Sequence, residues 1–181
     1  MKSLTQKLQK ILRNAGRVAV LGVGSELRGD DAAGIFIARQ LDASCGRKRS
    51  RVKVFIGDTA PENLTGEIKR YKPTHIVIVD SADMGTPPGT IRLIDPDEVR
   101  GVTFCTHSLP LKVLTDYLRR SLECTIAIIG IQPKRLGFGS SVSKEVAVSL
   151  RRIERALRDI FVERQGVKNS LKNALKGRVI V

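Results

Sequence analysis

The chain has 181 residues, of which 41% are apolar and 4% aromatic, and it carries a net charge of +14. This length and composition suit one packed domain, and the sequence has no apolar run long enough to predict a transmembrane helix. Nucleic-acid-binding surfaces combine basic side chains with stacking aromatic rings, and with no tryptophan and only two tyrosines this chain is not predicted to bind nucleic acid.

The first predicted element is a basic N-terminal helix, assigned to residues 1–16. Apolar residues recur at helical spacing over residues 3–14, and Ser3 is a suitable N-cap. Residues 1–17 contain five basic residues and no acidic residue. We favour a helix packed on the edge of the domain over a helix on a membrane surface.

Residues 17–163 are predicted to form one α/β domain, because apolar runs of strand length alternate with amphipathic helical segments. Residues 90–94 follow a proline-rich approach, which is typical of an edge strand. The alternation predicts a single doubly wound, mostly parallel sheet with helices on both faces and one edge strand. The predicted strands cover 17–23, 52–56, 74–79, 90–94 and 124–131, and the predicted helices cover 31–43, 59–71, 109–120 and 142–163.

Residues 164–181 are predicted to form a basic C-terminal tail that is either flexible or docked on the domain. This segment contains five basic residues, no acidic residue and no clear apolar period. The two charged ends favour a solvated basic face or a contact with an acidic protein. A basic binding module built from these ends is one alternative to an enzyme.

Cysteine usage indicates the compartment. The three cysteines have no CxxC spacing, which suits free thiols in a reducing environment. The N-terminus shows no apolar segment followed by a small-residue cleavage site, as a secretory signal would require. These patterns predict a cytoplasmic protein without membrane insertion.

The first strand runs into a glycine-rich turn at residues 22–34, where an open α/β sheet binds its ligands. A dinucleotide fingerprint would require glycine at the position of Leu27. Glu26, Asp30 and Asp31 would also repel a pyrophosphate, which prefers positive surroundings. A nucleotide-binding α/β enzyme is therefore an alternative that this turn only weakly supports.

Three potential metal ligands lie at predicted strand-to-helix turns: Asp31, Asp80 and His107. Carboxylate oxygen and imidazole nitrogen suit nickel, zinc, manganese or iron, and three protein ligands leave coordination positions open for a substrate. Each residue also has a structural explanation, such as a carboxylate that stabilises a helix N-terminus. Spacing alone therefore leaves the metal site as one interpretation among several.

Residues 22–34 (GVGSELRGDDAAG) resemble the signature G-x-G-N-x-L-x-x-D-[DE]-G-x-G of the hydrogenase maturation endopeptidases, with Ser25 in place of asparagine and Ala32 in place of glycine. The resemblance continues in family order to about residue 163. The APEN and DPD details are most similar to the branch that serves hydrogenases of the formate-hydrogenlyase type. The further matching segments are 58–63 (DTAPEN), 79–85 (VDSADMG), 88–89 (PG), 95–97 (DPD), 106–111 (THSLPL) and 130–133 (GIQP).

This resemblance implies an endopeptidase that removes the C-terminal extension of a [NiFe] hydrogenase large-subunit precursor after nickel insertion. It implies that Asp31, Asp80 and His107 contact the nickel and that Asp31 and Asp80 are catalytic, in an aspartic-type or metal-assisted cleavage. The nickel is then carried by the precursor, which is the expected partner, and the isolated protease need not hold a metal.

Position in the chain suggests further residues for substrate binding. Asp58, Glu62 and Asp83 follow the second and third strands, and residues 137–141 form a glycine- and serine-rich loop. We expect these segments to shape the cleft for the precursor. We also expect the protein to act as a monomer.

Overall fold

The computed structural model of this protein describes residues 3–45, 51–98, 103–104 and 111–176. The alternation of strands and helices follows the predicted order. The strands are β1 (Val18–Val23), β2 (Val52–Asp58), β3 (His75–Asp83), β4 (Ile91–Ile94), β5 (Thr103–Phe104) and β6 (Thr125–Ile131). The helices are α1 (Leu4–Leu12), α2 (Ala33–Cys45), α3 (Thr65–Tyr71), α4 (Leu111–Leu122) and α5 (Lys144–Lys176), and short 3-10 turns lie at Gly29–Ala32, Pro61–Leu64 and Pro96–Glu98.

The strands form one mixed, mostly parallel sheet in the order β2-β1-β3-β6-β4. Strands β2, β1, β3 and β6 are parallel, whereas β4 runs antiparallel to β6 at the edge of the sheet. The short strand β5 pairs antiparallel with the end of β3. The predicted fold class and edge strand are thus confirmed, while β5 was not predicted.

Helices cover both faces of the sheet because the side chains of a strand alternate between its two faces. Val18 and Val20 of β1 belong to the apolar cluster that α1, α2 and α5 cover. Ala19 and Leu21 belong to the cluster that α3 and α4 cover. Strand β1 is buried along its whole length, which explains its nearly uniform apolar sequence.

Helix α1 begins with a capping box, as the Ser3 N-cap predicted. The backbone nitrogen of Gln6 donates to Ser3 Oγ at 3.2 Å, and the backbone nitrogen of Ser3 donates to Gln6 Oε1 at 3.0 Å. Leu8 and Leu12 of this helix are buried in the same cluster as α5. The basic N-terminal helix therefore packs on the α/β domain.

Several element boundaries differ from the sequence prediction, and three of them bear on the site or on the C-terminal segment. Strand β3 continues to Asp83, beyond the predicted end at 79, because Asp80 and Ser81 pair with β6 and residues 82–83 pair with β5. Asp31 lies in the 3-10 turn Gly29–Ala32 that precedes α2, outside the α-helix itself. Helix α5 begins at Lys144 and continues past the predicted end at 163 to Lys176.

Helix α2 begins in direct contact with the ends of β1 and β3. A Cβ atom added to Gly34 would lie 2.2 Å from the carbonyl oxygens of both Val23 and Val79. Only glycine permits this approach of a helix to two strands. The contact holds the turn that carries Asp31 over the carboxyl edge of the sheet.

The composition predicted free cysteine thiols and no membrane-spanning helix, and the structure bears on both expectations. Cys124 is a buried free thiol, and burial raises the pKa of its sulfur. Across the described residues, no helix is both long enough and apolar enough to cross a bilayer.

Candidate active site

The candidate site residues that the structure describes lie at one edge of the sheet. Asp58 ends β2, Asp80 and Asp83 lie in the last part of β3, and Asp31 follows β1. Because these three strands are parallel, their carboxyl ends meet at the same edge. His107, the third predicted nickel contact, lies outside the described residues.

Asp31 and Asp80 are brought together at this edge and are both fully buried. Ser81 Oγ donates a hydrogen bond of 2.9 Å to Asp31 Oδ1. Ser81 follows Asp80 directly in β3, so their Cα atoms are about 3.8 Å apart. The turn after β1 therefore delivers one carboxylate to the strand position next to the other.

The two carboxylates approach the edge from different faces. Ile76 and Ile78 belong to the cluster under α3 and α4, and alternation assigns Asp80 to that same face. Ser81 and its partner Asp31 lie on the face covered by α2. A ligand at the carboxyl edge of β3 could thus be contacted from both sides.

The two described carboxylates do not by themselves form a complete metal site. Among residues 3–45, 51–98, 103–104 and 111–176, no group of three or more histidine, cysteine, aspartate or glutamate side chains is close enough to hold a metal ion. Oxygen donors from Asp31 and Asp80 suit a hard or borderline cation such as nickel. The three-ligand set with His107 stays a prediction.

Asp30 has a structural position that the sequence interpretation did not assign. Its buried carboxylate accepts hydrogen bonds from the backbone nitrogens of Lys134 (2.8 Å), Arg135 (3.0 Å) and Ser143 (2.6 Å), and from Ser143 Oγ (2.9 Å). Its own backbone nitrogen donates to the carbonyl of Arg135 at 3.0 Å. Asp30 thereby ties both ends of the segment 134–143 to the turn that carries Asp31. The sequence showed two adjacent aspartates, Asp30 and Asp31, but their spacing could not tell which one braces a loop and which one belongs to the site.

Gln132 organises the loop after β3. Its Oε1 accepts hydrogen bonds from the backbone nitrogens of Met84 (2.7 Å) and Thr86 (3.3 Å), and its Nε2 donates to Asp83 Oδ1 at 3.1 Å. The hydrogen bond from Gln132 is the main reason why the pKa of Asp83 is lowered, and the backbone N–H of Gly85 adds to the effect. Asp83 is exposed, so it is available to a substrate at this edge.

An open depression of about 430 Å³ adjoins Asp83. Residues from the end of β3 and from the segment after β6 line this depression, so the depression lies along the carboxyl edge of the sheet. It is lined by Asp83, Thr103, Gln132, Pro133, Lys134, Arg135 and Leu136.

The other two predicted substrate-binding residues lie at the end of β2. Asp58 is exposed and has a φ of 49°, and its carbonyl accepts a hydrogen bond of 3.1 Å from the backbone nitrogen of Gly24. Glu62 is half-buried in the 3-10 turn Pro61–Leu64. Asp58 thus contacts the glycine-rich turn, and the contact of Asp58 and Glu62 with a substrate stays a prediction.

The sequence also matches a family model described as HycI, hydrogenase maturation protease, over residues 35–160. This match spans most of the α/β domain. The chain belongs to the hydrogenase maturation protease family.

Individual relatives agree with this assignment. A Methanocaldococcus jannaschii protein is 34% identical over 157 residues, which cover 84% of this chain and 92% of the relative. The hydrogenase 3 maturation protease of Escherichia coli K12 is 38% identical over 120 residues, covering 66% of this chain and 74% of that protein. The crystal structure of the [NiFe] hydrogenase maturation protease HycI from Thermococcus kodakarensis KOD1 is similar with a TM-score of 0.78 and 27% identity, covering 86% of this chain and 98% of that one.

Proposed function

We propose that this chain is the endopeptidase that removes the C-terminal extension of a [NiFe] hydrogenase large-subunit precursor after nickel insertion. The observation that carries the proposal is the pair of fully buried carboxylates, Asp31 and Asp80, at the carboxyl edge of the sheet. Membership of the hydrogenase maturation protease family supports the choice of substrate. The formate-hydrogenlyase branch is favoured by the similarity to the hydrogenase 3 protease.

In this proposal the nickel belongs to the substrate. Asp31, Asp80 and His107 lend oxygen and nitrogen ligands to a nickel ion that the precursor already holds. Three ligands from the protease leave coordination positions for those of the precursor. Binding, and therefore cleavage, then depends on whether nickel has been inserted.

The cleavage step has two chemical routes within this proposal. In the metal-assisted route, nickel polarises the scissile carbonyl or lowers the pKa of a bound water. In the aspartic-type route, Asp31 or Asp80 accepts the proton of the attacking water. Incubating nickel-free precursor with a saturating concentration of protease distinguishes the two routes. Only the aspartic-type route allows slow cleavage without the metal.

The proposal also includes a cytoplasmic monomer. A free, buried Cys124 is compatible with a reducing compartment. Size-exclusion chromatography with light scattering tests the monomer, which has an expected mass of 19.9 kDa.

The deciding experiment is a cleavage assay on nickel-loaded and nickel-free precursor, read by mass spectrometry. We expect one cut in the loaded precursor only, and its loss in Asp31→Asn, Asp80→Asn and His107→Ala. Asp159→Asn is the matched control, because Asp159 is an exposed aspartate on α5. Failure of the wild-type protein to cut the loaded precursor would overturn the proposal.

A further inference from the structure

Two large apolar side chains are exposed beside the buried carboxylates. Phe138 is 81% exposed and Leu27 is 60% exposed. Their loops meet through a hydrogen bond of 2.8 Å from the backbone nitrogen of Gly139 to the carbonyl of Leu27. Leu27 accepts this hydrogen bond and Phe138 directly precedes its donor, so the two residues belong to adjoining backbone segments, and we call them the Leu27–Phe138 surface.

The loop that carries Phe138 is held in place by hydrogen bonds. Asp30 binds both ends of it, through residues 134–135 and Ser143. Within the loop, Arg135 Nε donates to the carbonyl of Ser141 at 3.1 Å. A loop that is ordered before binding loses little conformational entropy when a partner docks on it.

Polar and charged residues flank the two apolar residues along the chain. Arg28 follows Leu27, and Lys134 Nζ forms an ion pair of 2.6 Å with Glu145. Arg135 is exposed on the same segment. An apolar centre with a polar rim is typical of a protein–protein interface.

The surface is continuous with the candidate active site. The turn that begins at Leu27 contains Asp31, and the backbone nitrogen of Asp31 donates to the carbonyl of Arg28 at 3.1 Å. Four residues of extended chain span at most about 14 Å. The Cα atoms of Leu27 and Asp31 are therefore at most about 14 Å apart along this turn.

We propose that the Leu27–Phe138 surface docks the hydrogenase large-subunit precursor by taking up an apolar side chain next to its cleavage site. This inference rests on the proposed function, since the precursor is its occupant. Leu27 and Phe138 act in binding and take no part in the chemical step.

The test compares Leu27→Ala, Phe138→Ala and the double variant with wild type in steady-state cleavage of nickel-loaded precursor. Removal of one buried apolar contact raises KM about tenfold, while kcat stays within about twofold. Phe138→Met retains most of the apolar area and restores much of the KM. Because both residues are exposed, the melting temperatures of the variants match that of wild type.

Val162→Ala is the matched control. Val162 is 49% exposed and lies on α5, about 27 Å along the helix axis from its first residue. Its removal leaves KM unchanged. An unchanged KM in the double variant, or a loss of kcat alone, would overturn the docking surface.

A direct binding measurement tests the docking surface independently of whether the protein cleaves the precursor. The Kd for fluorescently labelled, nickel-loaded precursor is measured by anisotropy for the same variants. If wild type binds but does not cleave, the proposed activity fails, and a higher Kd for the double variant still supports docking. If the wild-type chain self-associates and the double variant does not, the surface is an interface between copies and the inference is wrong.

Discussion

Ser143 donates two hydrogen bonds to the buried carboxylate of Asp30, at 2.6 Å from its backbone nitrogen to Oδ1 and at 2.9 Å from its hydroxyl to Oδ2. The Ser143 hydroxyl also accepts from the backbone nitrogen of Val146 at 3.4 Å, so Ser143 caps the start of α5. Asp30 thereby places a negative charge at the N-terminus of α5, where the helix dipole favours it. This relationship joins the turn after β1 to a segment 113 residues further along the chain.

We predict that Asp30→Ala lowers the free energy of unfolding by about 3 kcal/mol or more, because it leaves several buried donors without their charged acceptor. Ser143→Ala removes the two hydrogen bonds of the hydroxyl but keeps the backbone donor to Asp30, and it lowers the free energy of unfolding by about 1 kcal/mol. Urea denaturation followed by circular dichroism measures both. Equal stability of Asp30→Ala and wild type would contradict the bracing role of this carboxylate.

Ser81→Ala is predicted to lower kcat for precursor cleavage about tenfold or more, because it removes the hydrogen bond that orients Asp31. Ser149→Ala is its control, since the buried Ser149 hydroxyl donates to the carbonyl of Gly89. Both variants lose about 1 kcal/mol of stability in thermal unfolding, but only Ser81→Ala loses activity. Similar kinetics for the two variants would show that Ser81 does not orient the site.

Gly34→Ala is predicted to destabilise the protein by about 2 kcal/mol or more, because its Cβ would collide with the ends of β1 and β3. Gly66→Ala on α3 is the control without a collision. The atom nearest to the added Cβ would be in the flexible Arg70 side chain, at 3.6 Å. That change is neutral or stabilising by up to about 1 kcal/mol, because alanine favours the helix. Chemical denaturation of the pair tests the argument, and a stable Gly34→Ala variant would contradict it.

Gln132→Ala is predicted to raise the pKa of Asp83 toward its ordinary value, because the amide that stabilises the carboxylate is lost. The lowered pKa of folded Asp83 stabilises the protein above the unfolded pKa, and this contribution disappears as the pH falls through the folded pKa. The variant should therefore show a weaker loss of stability in acid. A carboxyl-carbon NMR titration reads the pKa, and an unchanged midpoint would exclude Gln132 as its main cause.

Local sequence patterns determined which segments become strands and helices. The apolar run of β1, the Ser3 cap and the apolar period of α5 depend on neighbouring residues, so they can be read without the rest of the chain. The predicted ends were less accurate where pairing with a distant strand decides them. Strand β3 reaches Asp83 only because β5 and β6 supply hydrogen-bond partners there.

By itself, the sequence determined the fold class, the family resemblance and the location of Asp31 and Asp80 near the carboxyl ends of strands, because parallel strands deliver those ends to one edge. Only the tertiary structure decided that Ser81 meets Asp31 and that Asp30 braces residues 134–143. It also decided that Leu27, an apolar residue in a signature turn, is exposed. Those outcomes depend on contacts between residues tens to more than a hundred positions apart, and no local period or propensity encodes such contacts.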